Sequence, residues 1–170
     1  MTMEVFKHMK GRVFYPLCGT DVVWGECTNN GCDYIVFGDS YREDLKKVKT
    51  HMRENGINGD CVRLDFDHIP FRKGSFQTVI YKPGPNLVNR INIDTPLLKE
   101  IIEPEVLLAV NTGGCMHFSY PPITKSFVED FSKKNGYALK EAIEPEMGVD
   151  KTPLGSFIPK LVLVFEREKS

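Results

Sequence analysis

The sequence lacks the features that mark membrane, secreted and nucleic-acid-binding chains. Its 170 residues contain no apolar run that approaches the roughly 20 residues of a membrane span. The N-terminal segment MTMEVFKHMKGR has no apolar stretch before its charges, unlike a signal peptide. The net charge is −1, whereas nucleic-acid-binding domains usually carry a basic excess. We expect a cytoplasmic protein, residues 1–170 as a single domain, with no membrane partner; a nucleic-acid partner is disfavoured, although a local basic patch is still open.

Cysteine is scarce and shows no paired motif. The five cysteines are an odd number without a CxxC spacing, whereas a secreted disulfide framework shows an even count in a shorter chain. Cys27 and Cys32 lie close together, but no second close pair of Cys or His follows to complete a zinc site. We predict reduced thiols and no metal.

Short β-branched runs alternate with amphipathic stretches along most of the chain. This order predicts an α/β fold, with a doubly wound, mainly parallel seven-strand sheet in a three-layer α/β/α arrangement. The last two strands have no helix between them and predict an antiparallel C-terminal pair. The predicted strands are 12–17, 34–38, 61–66, 76–81, 115–120, 138–143 and 157–165, and the predicted helices are 41–55, 95–110 (kinked or restarted at Pro104) and 123–135.

Polar residues follow the first three predicted strands, where such sheets bind ligands. Gly19, in the loop 18–21 (CGTD), lets the backbone approach a ligand closely. Asp39 follows the second strand and can accept both ribose hydroxyls of a nucleoside. The third strand ends in residues 65–67 (DFD), where a carboxylate can accept from an exocyclic amine and Phe66 offers a flat apolar neighbour. Together these strand ends predict a nucleoside-shaped site.

The glycine fingerprint G-x-G-x-x-G of dinucleotide-binding proteins is absent. After Gly19 the next glycine is Gly25, so only one close backbone approach is available in this loop. Binding the diphosphate of NAD requires several such close backbone approaches. A nicotinamide-dependent oxidoreductase is therefore disfavoured.

Two blocks of the chain resemble a known family. Residues 12–40, RVFYPLCGTDVVWGECTNNGCDYIVFGDS, resemble the opening of the thiopurine methyltransferase group, with its Pro-Leu-Cys-Gly run. That group belongs to the seven-strand, Rossmann-like S-adenosylmethionine-dependent methyltransferases. Residues 64–81, LDFDHIPFRKGSFQTVIY, resemble a second block of the small-molecule methyltransferases, in which an acidic pair precedes Leu-Pro-Phe and Ser-Phe-Asp. The resemblance spans roughly residues 12–120.

The resemblance implies S-adenosylmethionine as cofactor. It implies that residues 15–21 wrap the methionine part, that Asp39 holds the ribose, that residues 65–67 lie at the adenine, and that Tyr81 and Lys82 line the mouth near the reactive methyl group. The implied cofactor-binding residues are Tyr15, Leu17, Cys18, Gly19, Thr20, Asp21, Asp39, Ser40, Asp65, Phe66, Asp67 and Tyr81.

Four residues depart from the family pattern. Tyr15 stands where many relatives have Asp or Glu, Leu17 and Asp21 replace glycines, and Gln77 replaces the usual aspartate. The carboxylate of Asp21 could meet the amino group of the cofactor or repel its carboxylate. The chain also has almost nothing before its first strand, where relatives carry helices that close over the substrate.

The function expected from these residues and this resemblance is S-adenosylmethionine-dependent methylation of a small molecule. No catalytic residue is assigned; His117 could act as a base, but a hydrogen-bonded structural histidine is the better interpretation. The alternative is a non-catalytic methyltransferase-fold binding or regulatory subunit, favoured by the short N-terminal segment, Gln77 and the altered first loop. The open sheet edge and the short N-terminal segment are compatible with a homodimer or with a completing partner subunit.

Overall fold

A computed structural model describes residues 3–83, 87–112, 123–144 and 159–169. The strands are Arg12–Pro16 (β1), Tyr34–Asp39 (β2), Gly59–Arg63 (β3), Thr78–Tyr81 (β4), Val106–Thr112 (β5), Tyr137–Ile143 (β6) and Pro159–Arg167 (β7). The helices are Met3–Phe6 (α1), Arg42–Glu54 (α2), Leu87–Ile101 (α3) and Lys125–Asn135 (α4), and Val23–Asn29 forms a 3₁₀ helix. No helix within these ranges is long and apolar enough to cross a membrane.

The seven strands form one sheet in the order β3-β2-β1-β4-β5-β7-β6. Strands β1 to β5 pair in parallel, and β7 pairs antiparallel with both β5 and β6. This confirms the predicted α/β fold, with a mainly parallel sheet and an antiparallel C-terminal pair. The chain proceeds from β1 outward to β3 and then returns to β4 on the other side of β1. The carboxyl ends of β1 and β4 therefore flank the switch point, where open α/β sheets bind their ligands.

Helices cover both faces of the sheet, which completes the predicted three layers. One apolar core contains residues of α1, the 3₁₀ helix and α2, and the other contains residues of α3 and α4. Helix α2 buries Leu45, Val48 and Met52 at three- and four-residue spacing, as its sequence predicted. Tyr41, predicted on the same face, precedes the helix and is 72% exposed. Trp24, expected in the core, is fully buried.

The predicted helix over residues 95–110 is correct for residues 95–101 and wrong beyond them. Helix α3 already begins at Leu87, contains Pro96 and ends at Ile101, and Val106–Val110 belongs to the buried strand β5. A short continuous apolar run fits a buried helix or a buried strand equally well by periodicity. The run 106–110 lies between β4 and β7 in a sheet that helices cover on both faces. This position in the sheet makes it a strand. The predicted strand 115–120, with His117, lies outside the described residues.

Strand β3 is shifted toward the N-terminus relative to its predicted range 61–66. It pairs with β2 from Ile35 opposite Gly59 to Asp39 opposite Arg63, so the two strands end together. Gly59 allows this start because a Cβ there would lie 2.2 Å from the carbonyl oxygen of Ile35. The residues 65–67 therefore follow the strand in a turn instead of ending it.

The two edges of the sheet are β3 and β6. Both Asp60 and Arg63 of β3 are exposed. In β6 the register with β7 shifts between Leu139 and Glu141, so that Lys140 forms a bulge. Each edge strand is thus charged, and one of them is irregular.

Candidate cofactor site

Asp39 is the most constrained of the predicted site residues. It ends β2, is 7% exposed, and accepts hydrogen bonds from the backbone N–H of Gly19 at Oδ2 (2.8 Å) and of Tyr41 at Oδ1 (3.0 Å). These bonds fix the carboxylate between the first loop and the start of α2. A carboxylate offers about four acceptor positions, so about two remain for further donors. The structure therefore brings Gly19 and Asp39 together, and the binding of a ribose by Asp39 stays a prediction.

The first loop turns sharply after β1. Leu17 and Gly19 both have positive φ angles, 58° and 54°, and the N–H of Cys18 donates to the carbonyl oxygen of Gly38 (3.1 Å). A Cβ on Gly19 would meet no atom within 4 Å, so the space beside it is open to a ligand. Leu17, by contrast, holds a left-handed conformation that leucine rarely adopts. Its side chain is 37% exposed at this loop.

The Cys18 thiol lies beneath the same loop and is 3% exposed. Burial, together with the nearby Asp39 carboxylate, raises its pKa well above the usual value. Because the thiolate is the reactive form, Cys18 is a neutral and unreactive thiol at neutral pH. Cys27 and Cys32 are also buried and free, as predicted from the sequence, and Cys61 is free and half-buried. The described residues contain no cluster of three or more potential metal ligands.

Tyr15, Asp21 and Lys82 form a hydrogen-bonded network at the carboxyl ends of β1 and β4. The Tyr15 hydroxyl donates to Asp21 Oδ2 (3.0 Å), and the Lys82 ammonium forms an ion pair with the same oxygen. Burial and the Asp21 carboxylate raise the pKa of the Tyr15 phenol well above its ordinary value. Tyr15 is therefore a neutral hydrogen-bond donor here.

Residues 65–67, which are expected at the adenine, lie in the turn after β3 and point in different directions. Asp65 and Asp67 are exposed, and Asp65 Oδ1 accepts from the Asp67 N–H (3.3 Å). Phe66 instead points into the core, where its ring centroid lies 6.4 Å from that of Tyr81. Thr20 is half-buried and Ser40 is exposed. The roles of these residues toward a cofactor remain predictions.

Tyr81 has no exposed surface, which corrects its expected place at the mouth of the site. It belongs to the core on the face opposite Tyr15, and its hydroxyl donates to the buried carboxylate of Asp94. Arg90 also binds Asp94 through two contacts, at 3.0 and 3.1 Å. Burial and Asp94 raise the pKa of Tyr81 above its ordinary value. Contact of Tyr81 with a cofactor stays a prediction.

Sequence reasoning missed two side-chain networks. The Arg90–Asp94 pair has the four-residue helical spacing that favours an ion pair and could have been found from it. The Asp21–Lys82 pair joins residues far apart in the chain and has no local signal. Gln77, a departure from the family pattern, accepts from the N–H of Arg12 (2.9 Å) at the amino end of β1, away from the site.

Two grooves elsewhere contain none of the predicted site residues. One, of about 590 Å³, lies between α2 and β3 and is lined partly by Lys46, Lys49 and Arg53. The other, of about 740 Å³, lies between α4 and strands β6 and β7. Neither groove adjoins the carboxyl ends of β1 and β4, where the network of Tyr15, Asp21 and Lys82 lies.

The fold of this chain recurs in solved structures. No family model and no curated protein matches this sequence. A S-adenosylmethionine-dependent methyltransferase from Methanosarcina mazei is 13% identical with a TM-score of 0.67, covering 100% of this chain and 99% of that one. This chain has the methyltransferase fold.

Two further neighbours share this fold. A S-adenosylmethionine-dependent methyltransferase from Clostridium acetobutylicum is 10% identical, with a TM-score of 0.62 and coverage of 98% of this chain and 88% of that one. A proposed RNA methyltransferase from Pyrococcus horikoshii is 12% identical, with a TM-score of 0.66 and coverage of 98% and 80%. Identities this low show the fold alone, so the resemblance to the thiopurine methyltransferase group stays a prediction.

Proposed function

We propose that this protein is a S-adenosylmethionine-dependent methyltransferase that acts on a small molecule. The observation that carries the proposal is the buried Asp39, oriented by two backbone N–H groups beside the open space at Gly19, within a methyltransferase fold. Its two remaining acceptor positions suit the two ribose hydroxyls of the cofactor. The residues at these strand ends therefore fit an adenosine group.

S-adenosylmethionine, when bound, supplies a methyl group already activated by a positively charged sulfur. The protein has to position the acceptor in line with that methyl group and exclude water. Asp39 and the first loop would hold the nucleoside, and the network of Tyr15, Asp21 and Lys82 would bound the site at the switch point. A base is needed only when the accepting atom carries a proton, and the proposal assigns none.

The charge distribution on α2 supports a small acceptor over a nucleic acid. Two lysines of its basic face are paired with acids one turn away, Lys46 with Glu43 (2.8 Å) and Lys47 with Asp44 (3.6 Å). These pairs reduce the positive field that a phosphate backbone would require. The face is better explained as a solvated helix surface.

A non-catalytic methyltransferase-fold subunit is the second candidate. The altered first loop favours it, because Leu17 holds a glycine-like conformation and Asp21 is already paired with Lys82. A protein that binds the cofactor and turns over no acceptor would fit this candidate. A folded protein that binds no S-adenosylmethionine would rule out the free-standing enzyme and would turn the question to NAD and then to a partner protein that rebuilds the pocket.

Isothermal titration with S-adenosylmethionine and S-adenosylhomocysteine tests the proposal. We expect binding of both, weakened at least tenfold in Asp39→Ala, since hydrogen bonds to a charged group contribute about 1.5–3 kcal/mol each. Asp130→Ala, which removes an exposed acid on α4, is the matched control and should bind as the unaltered protein does. Equal loss in both variants, or no binding by the folded protein, would contradict the proposal. Screening acceptors for methyl transfer then separates the two candidates.

A further inference from the structure

Lys82 lies at the switch point of the sheet and is almost completely buried. It directly follows β4, which pairs in parallel with β1, and it is 8% exposed. Its ion-pair partner Asp21 belongs to the loop that follows β1. A buried ammonium group is therefore held between the two strand ends that flank the expected ligand site.

The carboxylate of Asp21 has little capacity left for a ligand. Its Oδ2 accepts from Tyr15 and Lys82, and its Oδ1 accepts from the backbone N–H of Val23 (3.3 Å). About three of its four acceptor positions are therefore in use. Asp21 is thus poorly placed to bind the ammonium group of a cofactor.

The ammonium of Lys82 has donors to spare. It carries three N–H donors, and within the described part of the chain it makes one hydrogen bond, to Asp21. Buried donors without partners are costly, so such groups are usually satisfied by protein, water or ligand. A ligand oxygen with negative charge is the partner that would best satisfy an ammonium group.

We propose that Lys82 binds a carboxylate at the switch point, while Asp21 holds its ammonium in place. The proposal rests on the proposed function, since it assigns a charge preference to the same site. The carboxylate has two possible sources, the methionine part of the cofactor and a small anionic acceptor. In either case Lys82 is a binding residue and Asp21 a positioning residue.

The first experiment asks whether the carboxylate belongs to the cofactor. S-adenosylhomocysteine is compared with its decarboxylated analogue, an aminopropylthioadenosine, by isothermal titration. The test variant is Asp21→Asn with Lys82→Met, because replacing both partners leaves no uncompensated buried charge. Lys73→Gln, an exposed lysine in the turn before β4, is the control.

If the cofactor supplies the carboxylate, the double variant should bind S-adenosylhomocysteine roughly 10- to 100-fold more weakly, the range for a charged hydrogen bond, and bind the analogue almost unchanged. Asp21→Asn alone, in which the Asn side-chain oxygen still accepts from Lys82, should weaken S-adenosylhomocysteine binding by less than the double variant does and leave binding of the analogue unchanged. If Asp21→Asn weakens the binding of S-adenosylhomocysteine and of its decarboxylated analogue equally, Asp21 binds the ammonium group that the two compounds share. That result would overturn the proposal.

The second experiment tests the acceptor as source. The protein saturated with S-adenosylhomocysteine is titrated with benzoate, and binding that disappears in the double variant but not in Lys73→Gln assigns the site to the acceptor. If neither S-adenosylhomocysteine nor benzoate binding depends on Lys82, the ion pair is structural and the proposal is wrong. If the unaltered protein binds neither adenosine compound, the proposed function fails instead, and the two failures are thus distinguishable.

Discussion

The left-handed conformation of Leu17 leads to a prediction about the order of stability of two variants. At an ordinary φ angle, Ala is more stable than Gly because Gly gains about 0.4–1 kcal/mol of conformational freedom in the unfolded chain. Leu17 has φ 58°, where a side chain with a Cβ costs about 1–2 kcal/mol. The second effect exceeds the first. At the midpoints of these two ranges, we therefore expect Leu17→Gly to be more stable than Leu17→Ala by about 0.8 kcal/mol.

Comparing Gly with Ala at the same position cancels most of the packing lost with the leucine side chain, which is 37% exposed. Urea unfolding gives the difference directly, and the melting temperatures should differ by about 1–4 °C in a domain of this size. The control is the same two substitutions at Lys47, on the exposed side of α2. There the Ala variant should be more stable than the Gly variant by about 1 kcal/mol. If Ala equals or exceeds Gly at position 17, the argument from backbone strain is refuted.

Two further predictions concern buried tyrosines. Tyr81→Phe removes a donor to the buried carboxylate of Asp94 and should lower the free energy of unfolding by about 1–3 kcal/mol, whereas Tyr41→Phe, 72% exposed, should change it by less than about 0.5 kcal/mol in urea titrations. Burial raises the pKa of Tyr15, Tyr81 and Tyr137, so the folded state holds these protons more tightly than the unfolded state. Their contribution to stability is present below the unfolded pKa of about 10 and is lost as the pH rises above it. Tyrosinate absorbance should show these tyrosines ionising only together with unfolding; ionisation in the folded protein would contradict the assigned burial.

The fold was largely predictable because its signals are local and repeated. Amphipathic spacing located α2, and the absence of a helix between the last two strands indicated their antiparallel pairing. Strand β5 was missed because the run Val106–Val110 has no periodicity of its own, and only its neighbours in the sheet determine its conformation.

The candidate site was predictable where it depends on strand ends and not where it depends on side-chain direction. Asp39 and Gly19 meet as expected, because parallel strands bring their carboxyl ends to one edge of the sheet. Phe66 and Tyr81 point into the core, and packing against distant parts of the chain determines this direction. Asp21 and Lys82 pair because the strands that they follow are neighbours in the sheet. No short stretch of sequence contains that information.

The two edge strands bear on how copies of this protein behave at high concentration. An exposed strand edge invites pairing with another chain and thereby aggregation. Here β3 spans five residues and exposes Asp60 and Arg63, and β6 is interrupted by the bulge at Lys140. Charges and bulges of this kind oppose the continuous sheet that edge-to-edge growth requires. A concentrated solution of the folded protein should therefore resist fibril formation through either edge.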